Sequence, residues 1–189
     1  KDLEKDIELL NSQVERCNEI LKRLTLNPVE EDEFIDKDIN IRDYLHEIIS
    51  SFKEISKKEF VFNFDQDSNP KKISKSIEIV YGLRNFIGNA NKFAKNSIFI
   101  NLKSDSEFTE LTVEDDGNGY PRDIISKIGE PYLKSNYSKD KSKEGLGLGL
   151  FIGKTLLEKN FASVNCRNSK TRSGAEVIIR WKNKELFNI

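Results

Sequence analysis

Strand-patterned runs that come in adjacent pairs, with long helical patterns between them, leave this chain few folds. Residues 97–103 and 108–115 alternate apolar and polar side chains around the polar Ser104-Asp105-Ser106-Glu107, as a hairpin does. Residues 162–168 and 175–181 repeat that pattern around Ser173-Gly174, and 60–64 alternate more loosely as a further strand. Between them, 39–55 place Ile41, Leu45, Ile48, Ile49 and Phe52 on one helical face, and about 75–95 place Ile79, Leu83, Phe86, Ala90 and Phe93 on another. Residues 146–160 read as a third helix and 121–129 as a short one. Strands paired in sequence with helices between the pairs predict an α+β two-layer sandwich, with helices on one face of a mixed, mainly antiparallel sheet.

Ahead of this domain, Leu3, Ile7, Leu10, Val14, Cys17, Leu21 and Leu24 follow one another at alternating spacings of four and three. That is the heptad seam of one long helix burying a stripe against a partner. Asn27-Pro28 stops it, and the acidic Glu30-Glu31-Asp32-Glu33 reads as a linker. The chain thus divides into a heptad helix at 1–26, a linker at 27–40 and a domain at 41–189. It opens on Lys1 and holds no methionine, as expected of a piece of a longer polypeptide.

Glycine and leucine alternate in Glu144-Gly145-Leu146-Gly147-Leu148-Gly149-Leu150, directly before the third helix. Alternating glycines free the backbone to wrap a ligand, and a helix starting behind them aims unpaired N–H groups at an anion, which reads as a phosphate cradle. Two commoner nucleotide motifs do not fit. The dinucleotide fingerprint needs a third glycine where Leu150 stands and a strand where Ser138-Lys139-Asp140-Lys141-Ser142-Lys143 stands. Gly153-Lys154-Thr155 imitates the end of a P-loop, but the leading glycine falls on Leu148.

On the second helix Asn85, Asn89 and Lys92 are four and three apart and share a face separate from the core stripe. An amide oxygen is a hard, uncharged ligand that suits Mg2+ already surrounded by triphosphate oxygens, and Lys92 can reach a phosphate from the next turn. In Glu114-Asp115-Asp116-Gly117-Asn118-Gly119-Tyr120, acids end an apolar strand and glycines form the turn beyond. Asp115 continues the inward alternation of Leu111 and Val113 and can accept from the exocyclic amine of adenine, while Asp116 is left to solvent. A hinge, a solvated helix face and an Asx turn would each account for one motif alone. Their order is the specific signal.

Composition narrows the partners. With 31 basic against 32 acidic residues the net charge is -1, which argues for neither nucleic acid nor an anionic membrane surface. No apolar run approaches the roughly 20 residues of a membrane span. Cys17 and Cys166 lie far apart and accompany a single histidine, which supports neither a zinc site nor a disulfide framework and fits a reducing cytosol.

An amide helix, then Asp-x-Gly-x-Gly, then Gly-x-Gly-x-Gly resembles the GHKL ATP-binding superfamily with its Bergerat fold, and within it the sensor histidine kinases. Asn85-Phe86-Ile87-Gly88-Asn89-Ala90-Asn91-Lys92-Phe93 resembles the N box, Asp115-Asp116-Gly117-Asn118-Gly119 the G1 box and Ile128-Gly129-Glu130-Pro131-Tyr132-Leu133-Lys134-Ser135 the F box. Gly145 to Leu150 is similar to the G2 box. The redox-responsive RegB/PrrB type is the most similar, through Gln13-Val14-Glu15-Arg16-Cys17, Gly129-Glu130-Pro131-Tyr132 and the run from Gly147 to Glu158.

The resemblance implies ATP and Mg2+ as cofactors. By it, Asn89 holds the metal with help from Asn85, Lys92 touches phosphate, Phe93 lines the adenine pocket and Asp115 binds the adenine amine. Gly117 and Gly119 shape the base pocket, and Gly145, Gly147 and Gly149 with the N–H groups of Leu146, Leu148 and Leu150 bind phosphate. Lys134 joins this nucleotide set, and the lysine-rich loop before the glycines is the lid. Ala175 stands where many relatives carry threonine, and Tyr132 where phenylalanine is usual.

Hydrolysing members of the superfamily such as gyrase, MutL and Hsp90 carry a glutamate four residues before the metal asparagine, as the base that activates water. Asn85 stands there, so the γ-phosphoryl needs another nucleophile. In the kinases it is a histidine on the first helix of a dimerisation hairpin. His46, followed by Glu47-Ile48-Ile49-Ser50 without a proline and lying after the heptad helix, does not match. The resemblance therefore makes 1–26 the second hairpin helix and leaves the chain no catalytic residue of its own. It implies a homodimer through the heptad helix and a response-regulator receiver domain as partner. It also implies a cytoplasmic domain of an inner-membrane sensor, tied to the membrane only through upstream segments. Cys17 reads either as a small seam residue or, by the resemblance, as an oxidation sensor. The alternatives are a GHKL-type ATPase or serine kinase, and a non-enzymatic nucleotide-binding dimerisation module.

Overall fold

The computed structural model describes residues 39–65, 72–73, 76–131 and 148–186, all in the second of the two units, Asp36–Ile189, into which the chain divides. The heptad helix with Cys17, and Lys134, Gly145, Leu146 and Gly147, lie outside the described residues.

Asn40 starts the first helix. Its Oδ1 accepts from Arg42 N at 2.9 Å, which satisfies one of the donors that open α1 (Ile41–Lys53). The helix turns Ile41, Tyr44, Leu45, Ile48 and Ile49 inward, each stabilising the domain by about 1.5–3 kcal/mol. Just before it, β1 (Ile39–Asn40) pairs antiparallel with β3 (Lys72–Ile73). Ser76 opens α2 (Ile77–Phe93), its Oγ accepting from Ile79 N. At the other end Lys58 Nζ donates to the carbonyls of Asn91 and Ala94, placing a cation on the negative end of the helix. Ile79, Leu83, Phe86, Ile87 and Ala90 are buried, whereas Phe93, expected with them, is 44% exposed. It is the last residue of α2, where the chain leaves the helix at Ala94.

Five strands form the main sheet: β2 (Glu59–Phe64), β4 (Ser97–Ser104), β5 (Phe108–Asp115), β6 (Ser163–Asn168) and β7 (Ala175–Lys182), in the order β2-β4-β5-β7-β6. Only β2 and β4 run parallel, because α2 carries the chain between them; the other pairs are antiparallel. Ile98, Ile100, Leu102, Leu111, Val113, Val177, Ile179 and Trp181 fill the helix side, as the period of two requires. Asp105 closes the β4–β5 hairpin by accepting from Glu107 N and Phe108 N, both at 2.7 Å.

The third helix, α3 (Gly149–Lys159), is shorter than the expected 146–160, with Leu148 as its N-cap. It ends at Phe161, whose φ of 61° lets Phe161 N and Ala162 N turn back to Glu158 O and Leu157 O. In place of the short helix expected at 121–129 there is a single 3-10 turn, Ile125–Lys127. A last turn, α4 (Asn183–Leu186), follows β7. Asn183 joins it to the β4–β5 hairpin by accepting from Thr109 Oγ1 and donating to Asp105 O.

Candidate functional site

Strand alternation carries Asp115 to the helix side of β5, where it is 2% exposed. Its Oδ1 accepts from Gly117 N at 2.8 Å and Ala175 N at 3.3 Å; Oδ2 has no hydrogen-bond partner among the described residues. Burial raises this carboxyl above its ordinary range, and the two N–H donors work against that rise. An acid held this way offers one acceptor oxygen in a fixed direction. Gly117 is obligatory, since a Cβ there would meet Phe93 O and lie 2.7 Å from Asp115 Oδ1. Gly119, with φ of 74°, turns the chain where an L side chain would strain it.

Asp116 is solvated, as expected, and also holds backbone donors of the neighbouring loop. Burial pushes its carboxyl up, but backbone N–H groups of Asn96, Ser97 and Lys95 together hold it below the ordinary range. It accepts from Lys95 N at 2.7 Å and Asn96 N at 3.0 Å, so it fastens the acid turn to the exit of α2.

The amide stripe of α2 runs between two glycine contacts. At one end Asn85 Nδ2 donates to Tyr81 O at 2.8 Å, which leaves Oδ1 toward Gly149, 3.3 Å from where a Cβ on that glycine would sit. At the other end Gly117 lies against Phe93 O. The eight residues separating Asn85 from Phe93 span about 12 Å of helix, at roughly 1.5 Å each. Asn89 stands between, half-buried and with no hydrogen-bond partner among the described residues. Lys92 Nζ lies 5.4 Å from the centre of the Phe93 ring, so both side chains are at the acid-turn end.

The first turn of α3 carries no acid and no side-chain cap. Its first helical bond runs from Ile152 N to Leu148 O at 2.8 Å, so the N–H groups of Gly149, Leu150 and Phe151 point out of the helix end beside Asn85. Leu148, Gly149 and Leu150 are the described part of the expected glycine ribbon.

Sequence reasoning singled out Ala175 at the end of the β6–β7 hairpin but missed the hold that Asn168 and the turn after it have on this side of the site. Asn168 holds Tyr120 at both backbone atoms, accepting from N at 2.6 Å and donating to O at 3.0 Å. Ala175 N reaches Asp115, and Glu114 on the opposite face of β5 accepts from Ser169, Thr171 and Arg172. The turn chemistry of Asn168-Ser169 was the available signal. Close by, burial pushes the Cys166 thiol up to about 11, with the Tyr120 hydroxyl beside it. His46 is exposed on α1, edge-on to the Phe62 ring at 4.8 Å. The described residues hold no cluster of histidine, cysteine and acidic side chains that could bind a metal by itself. A cation here would need amide oxygens and a ligand's own oxygens, the set that Asn85 and Asn89 offer.

Residues 74–185 match the profile of the histidine kinase-, DNA gyrase B- and HSP90-like ATPase family. The sensor histidine kinase RegB of Cereibacter sphaeroides is 30% identical over 175 residues, which cover 88% of this chain and 37% of RegB. The chain therefore spans little more than a third of that relative. Among solved structures, one chain of the mycobacterial sensor histidine kinase MprB superposes with a TM-score of 0.64 at 18% identity, over 77% of this chain and 97% of that solved chain. Full-length ShkA in complex with AMPPNP superposes with a TM-score of 0.63 at 21% identity, over 76% of this chain and 30% of ShkA. Likeness at that identity is a likeness of fold.

Proposed function

The chain belongs to the histidine kinase-, DNA gyrase B- and HSP90-like ATPase family, and from that footing we propose that it is the ATP-binding catalytic domain of a two-component sensor histidine kinase. It transfers the γ-phosphoryl of ATP to a histidine on a dimerisation helix, for onward transfer to a response-regulator receiver domain. The observation that carries this reading is Asn85: its Nδ2 donates to Tyr81 O, which orients the amide oxygen toward Gly149, and a carboxamide in that place cannot take a proton from water.

Each group then has one task. Asp115 accepts from the exocyclic amine of the base through Oδ2, while Gly117 and Gly119 bring the backbone to the base edge. Asn89 and Asn85 offer their oxygens to Mg2+, which when bound neutralises charge on the phosphate oxygens. Lys92 adds a cation near the base of the triphosphate, and the first-turn N–H groups of α3 take its oxygens. Phe93, exposed at the end of α2, covers the base edge. Catalysis of this kind is positioning and charge neutralisation, without a general base on this chain. The domain works as a homodimer on the cytoplasmic side of a membrane; among the described residues no helix is long and apolar enough to cross one.

Calorimetric titration of ATP with and without Mg2+, followed by steady-state turnover, tests the reading. Binding is expected to tighten with Mg2+ while phosphate release stays near background. Failure to bind ATP, or sustained hydrolysis by the isolated chain, would overturn it.

A further inference from the structure

Glu114 is a buried acid that the nucleotide reading does not use. It sits on β5 directly before Asp115, so alternation sends its side chain to the opposite face of the sheet, yet it is only 6% exposed. Its carboxylate accepts from Ser169 Oγ, from Thr171 Oγ1 at 3.2 Å and from Arg172 Nε at 3.3 Å, three donors from one six-residue turn. The Arg172 guanidinium lies 3.4 Å over the Phe99 ring, which covers the ion pair from outside. Ser169 ties the turn internally: its Oγ also accepts from Thr171 N at 3.1 Å and Arg172 N at 2.8 Å, and Ser169 N donates to Gly174 O at 2.9 Å. The same turn ends at Gly174-Ala175. Gly174 lies against the Asp115 backbone so closely that no Cβ fits, and Ala175 N donates to Asp115 Oδ1.

We propose that Glu114 is a positioning residue for the base site: by holding the 169–174 turn from the far side of the sheet, it keeps the Ala175 N–H on Asp115 and so keeps that carboxylate aimed. The inference deepens the nucleotide reading and rests on it for the meaning of Asp115, but the contact itself can be tested without ligand. Besides the N–H groups of Gly117 and Ala175, the titratable groups facing Asp115 are Asp116 in the same turn, Lys58 ahead of β2 and the Tyr120 hydroxyl.

Two effects of removing Glu114 have opposite signs. Deleting a neighbouring negative charge by itself lowers the pKa of Asp115, whereas freeing the turn withdraws a donor from its carboxylate and raises it. The experiment is a carbon-13 NMR titration of the Asp115 carboxyl in the ligand-free protein, as wild type, Glu114→Ala, Ser169→Ala and Glu114→Gln. An upward shift is expected in Glu114→Ala and Ser169→Ala. Glu114→Gln, which keeps the oxygen that Ser169 and Thr171 use, should stay near wild type. Adenosine affinity should fall about tenfold in the two alanine variants, the loss of one hydrogen bond to a charged group, with the pH below which binding fails moved upward. A downward or absent shift in both alanine variants overturns the proposal, whatever the binding shows. Should Glu114→Ala fail to fold, Ser169→Ala alone decides by the same shift. If the shifts appear but Asp115→Asn leaves adenosine affinity unchanged, the positioning stands and the nucleotide reading falls.

Discussion

Asp115 is asked to be charged where charge is costly. Burial at 2% exposure raises its carboxyl above the ordinary range, and Gly117 N and Ala175 N only partly offset that. A carboxyl whose folded value is raised contributes stability below its unfolded value and loses that contribution as pH rises through the folded value. At neutral pH, then, Asp115 is a net cost to the ligand-free domain. Asp115→Asn should raise the melting temperature at pH 7 by roughly 2–4 °C, the change made by about 1 kcal/mol in a domain of this size, while weakening ATP binding about 10-fold to 100-fold. A melt and a titration on the same samples check both, and a variant less stable at pH 7 than wild type would contradict the argument. In the wild type, ATP binding should fail as pH drops through the raised value, since protonation removes the acceptor. Cys166 shows burial acting on a thiol. Pushed up to about 11, it is protonated at pH 8, so iodoacetamide should label it slowly in the folded domain and fully only in denaturant, as read by mass spectrometry.

Two helices meet at glycines, and this contact sets where the proposed phosphate end sits. A Cβ on Gly153 would lie 3.0 Å from both Asn85 Cβ and Phe86 Cε2, and one on Gly82 would lie 2.6 Å from Leu157 Cγ. Contact this close draws the open end of α3 against Asn85, while Asp115 is held by β5 and the hairpin turn. Gly153→Ala gains up to about 1 kcal/mol in helix propensity and loses about 1–3 kcal/mol to overpacking, so the domain should be slightly destabilised. Its signature is selective: affinity for ATP should fall several-fold while that for adenosine is kept, and equal loss of both would refute the division of the site into two ends. The same contrast separates what was legible in the sequence. Periodicity located the five strands of the main sheet and the helices α1, α2 and α3, though not the short β1–β3 pair, and the spacing of Asn85, Asn89, Lys92 and Asp115 fixed where those side chains sit on their elements, because position on a regular element follows from counting. The turn at 169–174 was not legible, since its hold on Asp115 depends on strand order, and Phe93 was misplaced in the core because it falls where α2 ends. Gly153 looked like part of a false P-loop motif and proved to be a packing residue.

At the scale of the molecule the issue is where the phosphoryl goes. On the proposed reading Asn85 supplies no base and His46 is not the acceptor: it is exposed on α1 and packed edge-on against Phe62 of β2. A nucleotide bound here, on that same proposed reading, waits for a histidine carried on a dimerisation helix, and transfer is a question of docking rather than of acid–base chemistry. Incubating this chain with γ-labelled ATP should leave it unlabelled. Adding a polypeptide that carries the dimerisation helix of the proposed kinase should give acid-labile label on that helix's histidine, and Asn89→Ala should abolish the label by removing the proposed metal ligand. His46→Gln should change nothing. Label on His46 in the isolated chain would instead make α1 the acceptor helix, and label on serine or threonine would move the protein to the serine kinases of the same superfamily.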